Sequence, residues 1–392
     1  YQRLSGHYGL VTGGTHSQTK SSMEKPFGTS NITLVLIFLH LTVCCFHFQI
    51  GESLKCQKPK EKAALFLFGD SYFDVGNNNY INTTTLDQAN FSPYGETHFK
   101  FATGRFSDGR LISDFITEYA KLPSLPPFLL PESQYSYYNG ANFASAGVGA
   151  LVTTFEHSVI HMETQLENFK KVKSWLIINL GKLKSQEILS NAVYLFSIGT
   201  DDYLSLYLAN PSVKINSPQY QQMVVGNLTN IVKEIYNIGG RKFGFLNLGD
   251  LGCIPGLRML NSSSENGCLE EASKMAKVHN IELDNILLKM EKQLKGFKYS
   301  IYDFNYSLRE RIDHPSKYGL KEEKIACCGS GRFRGTHSCG GKRPMGPEFE
   351  LCQNPNVHLF WDAYHLTEPN YHQMAAEMWN GPSNFKSLFQ CL

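Results

Sequence analysis

Four short apolar runs recur along the chain, separated by longer stretches in which apolar residues return every three or four positions. The short runs are AALFLF at 63–68, AVYLFSI at 192–198, KFGFLNL at 242–248 and YSIYD at 299–303. None alternates strictly between apolar and polar, as expected of strands buried on both faces of a parallel sheet. The longer stretches, 109–121, 161–178, 218–238 and 269–295, read as amphipathic helices, and a shorter helix is expected over 202–208. Strands alternating with helices predict an open α/β sheet covered on both sides, with its active site beyond the carboxyl ends of the strands. No internal repeat or low-complexity linker interrupts the pattern, so one domain is expected over 63–392.

One apolar run stands apart. Residues 32–46 (ITLVLIFLHLTVCCF) follow Lys25 and precede Gly51, Glu52 and Ser53, the length and flanks of a secretory h-region. Residues 23–53 are therefore expected to be a signal peptide, and 1–22, upstream of Met23, a non-native segment. The run is short for a spanning helix and contains His40 and Thr42, so no stable membrane span is expected. Cell wall, vacuole or a body derived from the endoplasmic reticulum are the compartments this implies.

The cysteines suit an oxidising lumen. Beyond Cys44 and Cys45 remain Cys56, Cys253, Cys268, Cys327, Cys328, Cys339, Cys352 and Cys391, mostly in the C-terminal third. Their pairing is not readable from spacing, although adjacent Cys327 and Cys328 are poorly placed to bridge one another. Residues 329–347, rich in Gly, Arg and Pro, read as a long cross-linked loop. Sequons at Asn82, Asn90, Asn227, Asn261 and Asn305 are expected glycosylation sites.

Charge narrows the partners. Lys+Arg 37 against Asp+Glu 35 leaves a formal charge of +2 with no long basic run, which removes the electrostatic case for nucleic acid. A small or neutral substrate fits better. No CxxC pair supports a zinc site, and no metal or cofactor is expected.

Two constellations near the ends of the pattern carry chemistry. F-G-D-S-Y-F-D at 68–74 presents Ser71 directly after the first apolar run, and F-W-D-A-Y-H at 360–365 presents Asp362 and His365 three residues apart. A hydroxyl is a poor nucleophile until an oriented imidazole takes its proton, so serine, histidine and aspartate together suit acyl transfer from an ester. The spacing of three would let the carboxylate reach Nδ1–H on one helical turn while Nε2 faces the serine. Singly, Ser71 also fits a helix N-cap, and Asp362 a capping carboxylate. The G-T-D-D turn at 199–202, like Ser71, follows a strand end.

With F-G-D-S-x-x-D-x-G-N-N-N-Y at 68–80 go T-G-R-F-S-D-G-R at 103–110, N-F-A-S-A-G-V-G at 142–149, L-G-C-I-P at 251–255 and A-C-C-G at 326–329. From about residue 63 to the C-terminus the chain thus resembles the plant GDSL esterase/lipases of the SGNH hydrolase superfamily. The resemblance implies a three-layer α/β/α flavodoxin-like fold with a parallel central sheet. It implies a carboxylic ester hydrolase acting on a small ester or lipid, with Ser71, Asp362 and His365 as nucleophile, acid and base. The family's oxyanion donors would fall on the backbone N–H of Ser71, the N–H of Gly147 and a third position, Asp201.

That third position departs from the family, which usually has G-x-N-D there. A carboxyl replaces an amide donor, and losing one such donor typically costs about 10²- to 10³-fold in turnover. Weak or absent esterase activity is the expectation unless burial keeps Asp201 protonated. Asp201 also fits a plain cap of the helix that follows. Leu366, where the family usually has proline, is expected to loosen the histidine loop. The stretch 361–371 also resembles the myrosinase-associated and epithiospecifier-modifier branch, which implies a retained fold acting as a β-glucosidase partner in glucosinolate defence.

Overall fold

The five central strands are parallel and lie in the order β2-β1-β3-β4-β5. They are β1 (Leu65–Gly69), β2 (Gly140–Asn142), β3 (Val193–Ser197), β4 (Lys242–Leu246) and β5 (Lys298–Tyr302). The helices are α1 (Ile112–Tyr119), α2 (Met162–Leu180), α3 (Lys182–Asn191), α4 (Thr200–Ala209), α5 (Pro218–Ile238), the single turn α6 (Pro255–Arg258), α7 (Glu270–Gln293), α8 (Phe304–Asp313) and α9 (Glu368–Asn380). This computed structural model describes residues 63–84, 87–131, 136–210, 218–261, 267–336, 339–340 and 349–390, all within one unit spanning Cys56–Leu392. The expected upstream segment and signal peptide, with Cys56 and Cys391, lie outside the described residues.

Each strand divides its side chains between two cores. Leu65, Leu67, Val193 and Leu195 face the core shared with α1, α4, α8 and α9. Phe66, Phe68, Tyr194, Phe196, Phe243 and Phe245 face the opposite core, covered by α2, α5 and the second half of α7. The result is the three-layer α/β/α arrangement. On the second face, strand register aligns aromatic rings into two rows. Phe66, Tyr194 and Phe243 stack at 5.4 Å per step, and Phe68, Phe196 and Phe245 at 5.1 and 5.4 Å. Such cross-strand pairs stabilise the sheet beyond the area they bury.

The four predicted strands form within two residues of their expected bounds, and 218–238 is helical as read. Three differences have plain causes. β2 is too short to show a period. The predicted helix over 161–178 is followed after Gly181, at φ 77°, by α3, whose polar sequence KLKSQEILSN masks its amphipathicity. The helix expected over 202–208 begins two residues earlier, at Thr200. Among the described cysteines, Cys253 pairs with Cys268, Cys327 with Cys352 and Cys328 with Cys339. The adjacent cysteines thus reach different partners.

β1 stops where its backbone meets β3. Gly69 sits at φ 133°, and a Cβ there would lie 1.9 Å from the carbonyl oxygen of Ser197. Only glycine lets the chain turn at this point. Gly69→Ala is expected to cost at least about 3 kcal/mol, through strain and a forced strand separation, measurable by denaturant unfolding.

Candidate active site

Beyond Gly69 the chain makes one tight turn, in which the Asp70 carbonyl accepts the N–H groups of Phe73 at 3.1 Å and Asp74 at 3.0 Å. Ser71 lies in this turn and caps no helix. Its Oγ is 2.7 Å from Nε2 of His365. Nδ1 of the same ring lies 2.8 and 3.0 Å from the two oxygens of Asp362. The structure therefore joins the three residues in one continuous hydrogen-bonded chain.

The Asp362–His365 spacing works differently from the helical turn expected. Asp362 Oδ1 also accepts the backbone N–H of Tyr364 at 2.9 Å and of His365 at 2.8 Å, closing a turn with its own side chain. The following helix, α9, starts only at Glu368. Burial raises the Asp362 carboxyl, but the charge and hydrogen bond of His365, the Tyr364 N–H and a hydroxyl from Tyr94 outweigh it and hold Asp362 below its ordinary value. Tyr94 donates to Asp362 Oδ2 at 2.7 Å, from 268 positions away. No local motif singles it out. The imidazole itself is held between the rings of Tyr72, at 5.7 Å, and Phe106, at 4.9 Å.

Other sequence blocks brace this loop. Cys327 and Cys328 donate to the carbonyls of Phe360 and Trp361 at 2.8 and 2.7 Å, and Gly256 donates to Ala363 at 2.8 Å. Ser107 Oγ donates to the Leu366 carbonyl, and Asp108 accepts the Glu368 N–H at 2.8 Å. Leu366 does not leave the loop loose as expected: it is buried, and its N–H, which proline would lack, donates to the Tyr371 hydroxyl at 3.3 Å.

Gly147 stands at φ 83° in the loop after β2. Its neighbours are tied down on both sides. Asp74 accepts the Ala146 N–H at 3.0 Å, while Asp202 accepts Ala150 N–H at 2.7 Å and Leu151 N–H at 3.0 Å. Asn78 and Asn77 donate to the carbonyls of Ala146 and Ala144. The N–H groups of Ser71 and Gly147 have no hydrogen-bond acceptor among the described residues, and both residues line the same cavity.

Asp201 lies in the first turn of α4, whose N-cap is Gly199, and makes no capping hydrogen bond. The capping role is therefore not realised. Its side chain is 7% exposed and opens into the cavity beside Ser71, Gly147 and His365. Burial first, then the nearby carboxyls of Asp70, Asp87 and Asp202, push Asp201 well above the usual carboxylate range. A helix N-terminus favours the charged form, but by no more than about 2 kcal/mol, less than several kcal/mol of desolvation. Burial likewise pushes Asp70 up to about 7, even though its Oδ1 accepts from Tyr72 N–H and the Ser197 hydroxyl.

The cavity measures about 410 Å³ and mixes apolar walls (Phe155, Leu204, Leu208) with polar ones (Thr84, Asp87, Ser158). Among the described residues no group of three or more His, Cys, Asp or Glu is arranged to hold a metal ion, and no helix is long and apolar enough to cross a membrane. Of the sequons, Asn82 and Asn90 are exposed, and Asn227 and Asn305 half-buried. Asn261 is buried, its amide donating to the Cys268 carbonyl at 2.8 Å.

The profile of GDSL-like lipases/acylhydrolases matches residues 65–378. The chain belongs to the plant GDSL esterase/lipase family. It is 56% identical over 378 residues to GDSL esterase/lipase 5 of Arabidopsis thaliana, covering 94% of this chain and 98% of the relative. GDSL esterase/lipase 2 of the same plant is 45% identical over 366 residues, covering 91% and 96%. An inactive GDSL esterase/lipase-like protein 25, also from Arabidopsis thaliana, is 33% identical over 332 residues, covering 83% and 74%.

Two outcomes follow from the geometry around this GDSL site. Tyr94→Phe, which removes a charge-assisted hydrogen bond from Asp362, should lower kcat/KM on p-nitrophenyl acetate by about 10- to 100-fold. A drop below about twofold would show that Tyr94 does not support the carboxylate. His279, whose ring lies under Gly199 and meets Tyr203 at 3.0 Å, is pushed from 6.5 down to about 3 by burial and stays neutral in the fold. Above pH 6.5 both folded and unfolded forms are neutral there. As pH falls below that value, only the unfolded chain takes the proton and stability is lost. The stability of His279→Gln relative to wild type should therefore improve by about 1.4 kcal/mol per pH unit on acidification, read from urea midpoints.

Proposed function

We propose that the chain hydrolyses carboxylic esters through a covalent acyl-enzyme, with Ser71 as nucleophile, His365 as general base and acid, and Asp362 holding the imidazole. The observation that carries this reading is the unbroken contact from Ser71 Oγ through His365 to Asp362 at the edge of an open cavity. In the first half-reaction Nε2 takes the Ser71 proton as Oγ attacks the ester carbonyl. The imidazolium, stabilised by Asp362, then protonates the departing alkoxide. Water repeats the sequence on the acyl-enzyme, releasing the acid and restoring Ser71.

In both tetrahedral intermediates the N–H groups of Ser71 and Gly147 point their donors at the oxyanion. Asp201 completes the set as a neutral acid whose O–H replaces the family's asparagine amide. Its burial among other carboxyls supports the protonated form. The substrate is a small ester or lipid whose reacting part fits about 410 Å³. Synthesis into the secretory pathway fits the three disulfides among the described residues. Glycans would sit best on exposed Asn82 and Asn90 and least well on Asn261, whose amide is engaged.

A second reading has the site silent and the chain serving as a partner in a defence complex with a β-glucosidase such as myrosinase. Asp201 favours it, and so does the inactive-like relative. Relatives bearing esterase/lipase names at 56% and 45% identity favour turnover.

Rates on p-nitrophenyl acetate and butyrate from about pH 5 to about pH 9 separate the readings. Ser71→Ala should lose at least about 10³-fold. Asp201→Asn should match wild type within about threefold at the acid end, where the wild-type acid is neutral. Its advantage over wild type should grow as pH rises, because whatever fraction of Asp201 ionises repels the oxyanion. Parallel pH profiles would remove Asp201 from the oxyanion hole; wild type as inert as Ser71→Ala would establish the silent reading.

A further inference from the structure

The corner between α2 and α3 is bare and apolar where a helix end is ordinarily polar. Ile178 is 82% exposed and Leu183 84%, on either side of Gly181, whose open side meets no atom within 4 Å. Ile177 is exposed beside them, and Trp175 is half-buried against the rings of Tyr137 and Tyr138 at 5.3 and 5.1 Å. Single exposed aliphatic residues are ordinary. Two nearly naked ones at one helix corner, backed by an aromatic group, are a patch.

Its charge is one-sided. Residues 168–186 contain five lysines (170, 171, 173, 182 and 184) and no Asp or Glu. Lys170 and Lys184 pair with Glu167 and Glu187 at the margins of this segment. Lys171, Lys173 and Lys182 have no acidic partner among the described residues. Lysines on the same two helix ends as bare aliphatic side chains, with tyrosine and tryptophan one turn further in, offer the groups an anionic lipid surface takes: cations for its headgroups, interfacial aromatics, and aliphatic side chains for its acyl boundary.

We propose that this corner is an anchor that binds a lipid surface carrying anionic headgroups. Ile178 and Leu183 enter the acyl boundary while Lys171, Lys173 and Lys182 meet the headgroups. The anchor lies away from the catalytic end. Gln165, in the first turn of α2, bonds both the N–H and the carbonyl of Gly69, and Ile178 lies roughly 20 Å further along the helix axis. Tyr137 and Tyr138, which meet Trp175, precede β2 at the amino end of the sheet. The anchor therefore tethers the protein without pressing its cavity against the same surface, and it is independent of the esterase reading.

The test is vesicle sedimentation of the full secreted protein. Phosphatidylcholine vesicles with about 30 mol % phosphatidylglycerol are compared with pure phosphatidylcholine, at about 0.05 M and about 0.5 M salt. Wild type should bind the anionic vesicles at low salt and be released at high salt. The pair Ile178→Ser, Leu183→Ser should lower the partition coefficient at least about tenfold, and the triple Lys171→Gln, Lys173→Gln, Lys182→Gln by a similar factor. All variants should keep wild-type Tm and ester turnover. No binding by wild type, equal binding to both lipids, or unchanged binding by either variant would overturn the proposal. So would a wild-type dimer in sedimentation that the Ile178→Ser, Leu183→Ser pair converts to monomer, since the corner would then join two copies of the chain.

Discussion

Buried carboxylates that accept backbone N–H groups hold together the catalytic end of this sheet. Loops leaving strand ends cannot satisfy their amides by ladder bonding, and a buried unpaired N–H is costly. Asp74 takes the N–H groups of Gly76, Asn77 and Ala146. Asp202 takes those of Ala150 and Leu151, and Asp362 those of Tyr364 and His365. Each carboxylate thereby fixes a loop that no sheet or helix could fix. Desolvation opposes the arrangement, lifting Asp74 and Asp202 to about 6 despite all these donors. Only Asp362, beside a cation-forming imidazole and a tyrosine hydroxyl, comes out below its ordinary value. That difference separates the carboxyl paired with His365 from those that only hold loops.

The same principle explains what could be read from the chain and what could not. The apolar runs declared four of the five strands: β1, β3 and β4, buried throughout, leave a continuous signal, and the less buried edge strand β5 shows through its Tyr and Ile residues. β2, three residues long, leaves none, and α8 (FNYSLRERID) carries only a narrow stripe, Phe304, Leu308 and Ile312, on a ten-residue helix. Ser71, Asp362 and His365 were visible through residue type and spacing, but the turn that presents His365 was not a helix. Its shape depends on hydrogen bonds from residues far away in sequence. Tyr94 is one of 20 tyrosines and carries no local mark of its contact with Asp362.

The blocks that carried the family resemblance have distinct physical duties. T-G-R-F-S-D-G-R places Phe106 against the imidazole and Asp108 on the first N–H of α9. L-G-C-I-P leads to Gly256, whose lack of a side chain leaves room for the Tyr364 ring; a Cβ there would fall 2.4 Å from it. G-N-N-N supplies the amides that secure the loop bearing Gly147. Spatially, blocks scattered over nearly 300 residues converge on two short loops and the turn between them. Asp201 is the exception: among the described residues its side chain braces no loop, and it lines the cavity.

The two disulfides that start from adjacent Cys327 and Cys328 reach Cys352 and Cys339. These same cysteines give their N–H groups to Phe360 and Trp361, the residues just before Asp362. The sheet and Ser71 lie between Leu65 and Tyr302, whereas His365 hangs on a rail that two later disulfides hold. Mispaired cysteines would withdraw the support beneath Phe360 and Trp361 without touching the strand that leads to Ser71. Correct cysteine pairing, and not the sheet alone, is then what sets His365 opposite Ser71.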